Sequence, residues 1–226
     1  SAGLSMFDRL VHVLFLGALL VPTISRPALA AQEKEPQQGS SKAESFVGLK
    51  IDANSVPEPK KVPSRETVLP LELSEGEHVM LIGNTLLDYA QFEGFFETLL
   101  QQRFPGKKLV VRTLAWSADE VDLQPRPDAF GSLHQHLSVQ KADVILAAYG
   151  FNESFAGADG LVDFQRRLNT FLGELKSRAY NGETAPRIVL LSPIASENIK
   201  GTAAGTNNNN RLEIYTAVMK ATAARQ

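Results

Sequence analysis

Four short polar runs each follow an apolar stretch, and they hold most of the residue types that could do chemistry. They are Gly83-Asn84-Thr85, Ala115-Trp116-Ser117-Ala118-Asp119, Gly150-Phe151-Asn152-Glu153 and Ser192-Pro193-Ile194-Ala195-Ser196. A hydroxyl becomes a nucleophile only when a neighbouring base takes its proton. An amide such as that of Asn152 could hold a developing negative oxygen, a contribution of about 3 kcal/mol in a transition state. A turn-forming role for Asn152 stands beside that one. Asp119, Glu120 and Asp122 could hold a cation or simply favour a solvated helix start. Ser117 followed by Glu120 fits a capping box, which explains both without catalysis.

Bases are scarce. There are four histidines, His12, His78, His134 and His136, and none follows His136. His134 and His136 are spaced i, i+2 and do not share a helix face, so they make a poor metal pair. They read as surface or loop residues. His78 begins an apolar run and reads as structural. There is no cysteine. That excludes disulfides, thiolate metal sites, covalent haem attachment and a cysteine nucleophile.

These runs need elements to position them. His78–Gly83, Leu109–Leu114, Asp143–Tyr149 and Arg187–Leu191 read as short buried strands. Tyr89–Phe104 reads as one helix burying Phe92, Phe95, Phe96, Leu99 and Leu100. Leu161–Arg178 places Leu161, Phe164, Leu168, Phe171, Leu172 and Leu175 at helical spacing. Arg211–Ala223 reads as a last helix, and Gly201–Asn210 as a low-complexity mobile loop. Near-continuous apolar strands separated by amphipathic helices predict a parallel sheet covered on both faces. Ligands of such sheets sit at the carboxyl ends of the strands, where all four polar runs fall.

Composition narrows the classes further. Of 226 residues 43% are hydrophobic, and 23 basic against 25 acidic side chains leave a net charge of −2. This is a globular composition, with no basic surplus for nucleic acid. No Gly-x-Gly-x-x-Gly or phosphate-loop pattern is present, so no nucleotide cofactor is expected. No metal or other cofactor is expected either. Met6–Ala30 reads as a secretory signal. Arg9 is its basic start, Leu10–Val21 its apolar run and Ala28-Leu29-Ala30 its cleavage site. Residues 1–30 are therefore expected to be signal, 31–70 a flexible linker and 71–226 the folded domain. The apolar run is too short to span a bilayer. Export to the periplasm or beyond is the expected localisation, with no stable membrane span after cleavage.

The strand-end runs, in this order, resemble the SGNH (GDSL-type) hydrolases. Gly83-Asn84-Thr85 stands where that family has Gly-Asp-Ser, Ala118 where it has an oxyanion glycine, and Gly150-Phe151-Asn152-Glu153 where it has Gly-x-Asn-Asp. Phe104-Pro105, Leu114–Val121, Arg126-Pro127, Lys141–Val144, Gly150–Phe155 and Leu191–Ala195 are further similar to the secreted SGNH-like domain that opens large planctomycete-type multidomain proteins. The resemblance covers about residues 71–226. It implies a flavodoxin-like three-layer α/β/α fold with a parallel sheet. It also implies hydrolysis of acyl or acetyl esters, on small molecules or carbohydrate. Thr85 would take the nucleophile position, and the Ala118 N–H and the Asn152 amide would form the oxyanion hole.

Two departures bear on activity. The threonine methyl crowds attack and stiffens χ1; a turn or helix-cap role for Thr85 remains the alternative. The family's Asp-x-x-His block is absent, which predicts a carboxy-terminally incomplete domain of a longer protein. A non-catalytic carbohydrate-binding or scaffolding module is the competing reading. If the Ala118 position requires a positive φ, alanine carries a strain of about 1 kcal/mol there.

Overall fold

The computed structural model describes residues 56, 58–127 and 130–226. The chain divides into two units, Ser1–Ser45 and Phe46–Gln226, and all described residues lie in the second. The signal segment and most of the linker therefore fall outside them. Within the span read as linker, Lys60–Lys61 forms a two-residue strand, β1. It pairs antiparallel with β5, Arg178–Ala179. The Thr67 hydroxyl also accepts the Ile188 N–H at 3.0 Å.

The main sheet holds four parallel strands: β2 (His78–Gly83), β3 (Val110–Thr113), β4 (Val144–Ala148) and β6 (Arg187–Leu191). Their spatial order is β3-β2-β4-β6. This is the flavodoxin-like order, with its reversal of direction between β2 and β4. Strand geometry sends alternate side chains to opposite faces. Met80, Ile82, Ile145 and Ala147 join Phe164, Leu168, Phe171, Tyr215 and Met219 in one core. Val79, Leu81, Val144, Leu146 and Ala148 join Leu87, Leu109 and Val111 in the other. Both faces are apolar because both are covered, so the chain forms three layers.

Helices α1 (Thr85–Glu93) and α2 (Phe95–Arg103) lie on the second face, where Leu86, Leu87, Phe96 and Leu100 pack. On the first face lie α3 (Leu133–Val139), α4 (Leu161–Lys176) and α5 (Ala204–Ala223), preceded by a 3-10 segment, Glu153–Gly160. The predicted α4 stripe is buried at Phe164, Leu168, Phe171, Leu172 and Leu175.

Three local expectations are corrected. The helix expected over Tyr89–Phe104 is two helices, because Gly94 adopts φ +66 between them. The break leaves Phe92, Phe95 and Leu99 each more than 60% exposed, against the expected burial. The segment read as a mobile loop is helical from Ala204 onward. Asn has little intrinsic preference for a helix. Here tertiary bonds decide: Asn209 accepts the Ser196 N–H at 2.7 Å and donates to the Ser196 carbonyl at 3.0 Å. Finally, Ser117 and Glu120 do not cap a helix, since among the described residues no helix lies between α2 and α3. No described helix is long and apolar enough to cross a membrane.

Candidate functional site

Gly83 ends β2 with φ +124, and a Cβ there would stand 2.0 Å from the Ala148 carbonyl oxygen. Only glycine lets β2 and β4 approach this closely at the reversal point of the sheet. The chain then turns through Asn84, whose N–H donates to Ala148 O at 3.1 Å. Asn84 is the N-cap of α1, its side-chain oxygen accepting the Leu86 N–H at 3.3 Å. Thr85 is the first helical residue rather than the cap, and it is exposed. Its position at a helix start offers a positive dipole end.

The second loop follows β3. The Trp116 N–H donates to Gly83 O at 2.9 Å, locking this loop to the β2 turn. Asp88, one turn into α1, accepts both the Ser117 N–H at 2.9 Å and the Ser117 hydroxyl at 2.6 Å. Ala118 comes next with φ +70. A non-glycine residue in this region is strained, and such strain persists only where the surroundings enforce it. The Ala118 N–H has no hydrogen-bond partner among the described residues. Asp119 is 2% exposed, and Arg126 clamps its carboxylate with two bonds of 2.8 and 2.6 Å.

The third loop follows β4. Gly150 has φ +91, and a Cβ there would press on the Met219 sulfur at 2.9 Å. The Asn152 Nδ2 donates to Asp119 O at 3.0 Å, which leaves its second amide hydrogen for another acceptor. Glu153 is buried and accepts the Gly150 N–H at 2.8 Å and the Val121 N–H at 3.0 Å. Burial raises its pKa while those backbone donors oppose the rise. Glu153 thus ties the second loop to the third.

Of the three sequence-predicted site residues, Ala118 and Asn152 are joined through Asp119. Thr85 is joined to the same loop through Asp88 and Ser117. Sequence reasoning did not find Asp88 as the strut between them, because the contact spans 29 residues. Nor did it find Arg126 as the partner of Asp119.

The described histidines lie elsewhere. His78 sits at the opposite end of β2, its Nδ1 2.6 Å from Gln140 O. His134 and His136, expected on the surface or in a loop, belong to α3. Ser132 and Gln135 form the capping box of that helix, a Ser-x-x-Gln signature legible in the sequence. His134 Nδ1 is 2.7 Å from the Tyr180 hydroxyl, and its Nε2 is 3.4 Å from Glu174. Burial, and Arg178 after it, holds its pKa below the usual value. No described imidazole or carboxylate is bonded to the Thr85 hydroxyl.

The carboxylates weighed as a cation site are neutralised by arginine instead. Asp119 pairs with Arg126, and Glu120 and Asp122 pair with Arg167. Among the described residues no cluster of three or more His, Cys, Asp or Glu could hold a metal ion.

No family model and no curated protein matches the chain. Among solved structures it is similar to a gut microbial diltiazem-metabolizing enzyme, at 18% identity and a TM-score of 0.48 over 71% of this chain. The chain spans 37% of the length of that enzyme. It is also similar to a protein of Slackia heliotrinireducens named as an SGNH hydrolase. That match has 13% identity and a TM-score of 0.47 over 67% of this chain and 76% of the other. A third likeness is to the acetyl xylan esterase AlAXEase, at 14% identity and a TM-score of 0.42 over 64% and 73% of the two chains. Likenesses at this identity concern the path of the chain and not its chemistry.

Proposed function

We propose that the chain carries an exported SGNH-like ester hydrolase domain acting on acyl or acetyl esters, including those borne by carbohydrate. One observation carries this reading. Ala118 is held at φ +70 with its N–H free, and the loop it sits on is bonded to the Asn152 amide. Two unspent donors on adjoining strand-end loops suit an ester carbonyl oxygen that gains negative charge when attacked. Thr85, at the start of α1, takes the nucleophile position. Attack by its hydroxyl would form the bond to the carbonyl carbon, push the C=O electron pair onto oxygen and release the proton to a base; collapse would break the ester C–O bond, the alcohol leaving with that proton.

That base is the weak point. With no described imidazole bonded to Thr85, residues 1–226 are expected to turn esters over slowly. The same observation favours a second reading, a non-catalytic carbohydrate-binding or scaffolding module.

Hydrolysis of p-nitrophenyl acetate separates the two. The hydrolase reading expects a rate above buffer that falls in both Thr85→Ala and Asn152→Ala. Equal rates for the parent and both variants would remove the site assignment. Glycan affinity without turnover would leave the binding module. Export is part of the proposal and rests on the leader pattern. A mature amino terminus at Ala31, read by mass spectrometry, is the expected result.

A further inference from the structure

One cavity does not involve Thr85, Ala118 or Asn152. It lies between the loop after β3, the start of α3 and α4, and encloses about 550 Å³. Small-molecule sites commonly enclose about 300–1,000 Å³. Its aromatic wall is built from half-exposed rings. Trp116 is 47% exposed and Phe130 37% exposed, and they meet edge to face at 5.8 Å. The Arg126 guanidinium lies 4.5 Å from the Trp116 ring centre and fixes that ring by a cation–π contact. The His136 ring packs on Phe130 at 4.8 Å.

The charges around this cleft, Glu174 apart, are already satisfied. Arg126 is bound to Asp119, Asp122 to Arg167, and Glu174 faces His134. A charged ligand would have to compete with these pairs. The remaining polar capacity is mostly acceptor. His136 Nε2 lies 2.8 Å from the Phe130 carbonyl. A carbonyl only accepts, so Nε2 carries the hydrogen and Nδ1 of the neutral ring is an acceptor. Gln124 spends its two Nε2 hydrogens on the Tyr149 hydroxyl and Val121 O, which leaves its carbonyl oxygen. The Ser132 hydroxyl accepts the Gln135 N–H at 3.2 Å and keeps its own proton to donate.

An aromatic corner, its two rings crossed at 81°, beside uncharged acceptors suits a ligand with an apolar ring face and several hydroxyl donors. We propose that this cleft binds a neutral glycan, with a sugar ring in the corner formed by Trp116 and Phe130 and its hydroxyls on Gln124, Ser132 and His136. An apolar aromatic compound would leave those acceptors unpaired, and an acidic glycan would meet Glu174. The site holds under either reading of the strand-end crevice, because it binds without an ester and without Thr85.

Trp116 is the single tryptophan of the chain, so its fluorescence reports on the cleft directly. The chain is titrated with cellotriose and xylotriose, and separately with tri-galacturonic acid and p-cresol. A saturable change with a neutral trisaccharide is expected, weakened about tenfold by Phe130→Ala. Gln124→Ala is the second variant if Phe130→Ala does not fold, and a comparable loss is expected. No saturable response to either neutral trisaccharide would overturn the proposal. So would an equal or tighter response to tri-galacturonic acid or p-cresol. Ester turnover is not measured in this experiment, so its failure leaves the hydrolase reading standing.

Discussion

The strand-end crevice and the aromatic cleft share one loop, Trp116–Asp119, and treat polarity in opposite ways. On the crevice side donors are left unspent: the Ala118 N–H and one Asn152 amide hydrogen. On the cleft side Arg126 is paired with Asp119 and Asp122 with Arg167. The difference shows how the strain at Ala118 is held. Ser117 before it is anchored by Asp88, and Asp119 after it by Arg126 and Asn152. The paired side is the clamp that keeps the unspent side open.

The comparison breaks most severely at Gly83. Gly83→Ala places a Cβ against the Ala148 carbonyl at a backbone angle that alanine resists. A loss of about 4 kcal/mol or outright failure to fold is expected, measured by urea unfolding. A loss below 1 kcal/mol, on the same scale, would mean that β2 and β4 part easily.

Asp119→Ala comes next. It strands Arg126 beside Trp116 and removes the clamp after Ala118, with an expected cost of about 3 kcal/mol. Arg126→Ala together with Asp119→Ala should cost less than the two singles added. Simple additivity in that cycle would show that the pair is not coupled.

A smaller effect sharpens the comparison from the crevice side. Ala118→Gly removes the strain of φ +70 and keeps the N–H, so it should leave stability unchanged or raise it by about 1 kcal/mol. Thermal unfolding of the variant checks the sign. A clear loss would show that the alanine methyl makes a contact worth more than the strain.

The smallest effect belongs to the cleft side and depends on pH. His134 has its pKa held below 6.5 in the folded chain, mainly by burial. A base with a lowered folded pKa binds fewer protons folded than unfolded. Its contribution to stability is therefore complete above about 6.5 and is lost as pH falls from there through the folded pKa. His134→Gln should flatten that slope in unfolding experiments between pH 5 and pH 7, taken as about the window of an ordinary histidine. An unchanged slope would assign the pH dependence to other groups.

Much of the sheet was legible before any coordinates. A continuous apolar run such as Val144–Ala148 has nowhere to go but a strand buried on both faces. The α4 stripe at Phe164, Leu168, Phe171 and Leu175 is equally plain, because helical spacing leaves one consistent face. Phe92 and Phe95 misled for the reason that Phe164 did not. Their spacing presumes an unbroken helix, and Gly94 breaks it. The Asn-rich segment misled in the other direction, since local preference argued against the helix that Ser196 stabilises from outside. At the candidate site, Gly83, Ala118 and Asn152 could be picked out by type and order. Asp88 and Arg126 could not, because their roles rest on which loops the fold brings together.

The sequence alone determined the residue types at the strand ends, the lack of cysteine and the absence of any histidine after His136. Those are properties of composition and order, and no folding changes them. The tertiary structure decided that Ala118 sits at a positive φ, that Asp119 meets Arg126 and that Trp116 opens onto a cleft. These depend on loops from β2, β3 and β4 meeting at the point where the sheet reverses. Hydrogen bonds and ion pairs act over only a few ångströms, so separation along the chain cannot specify them; only the packed sheet brings their partners within reach.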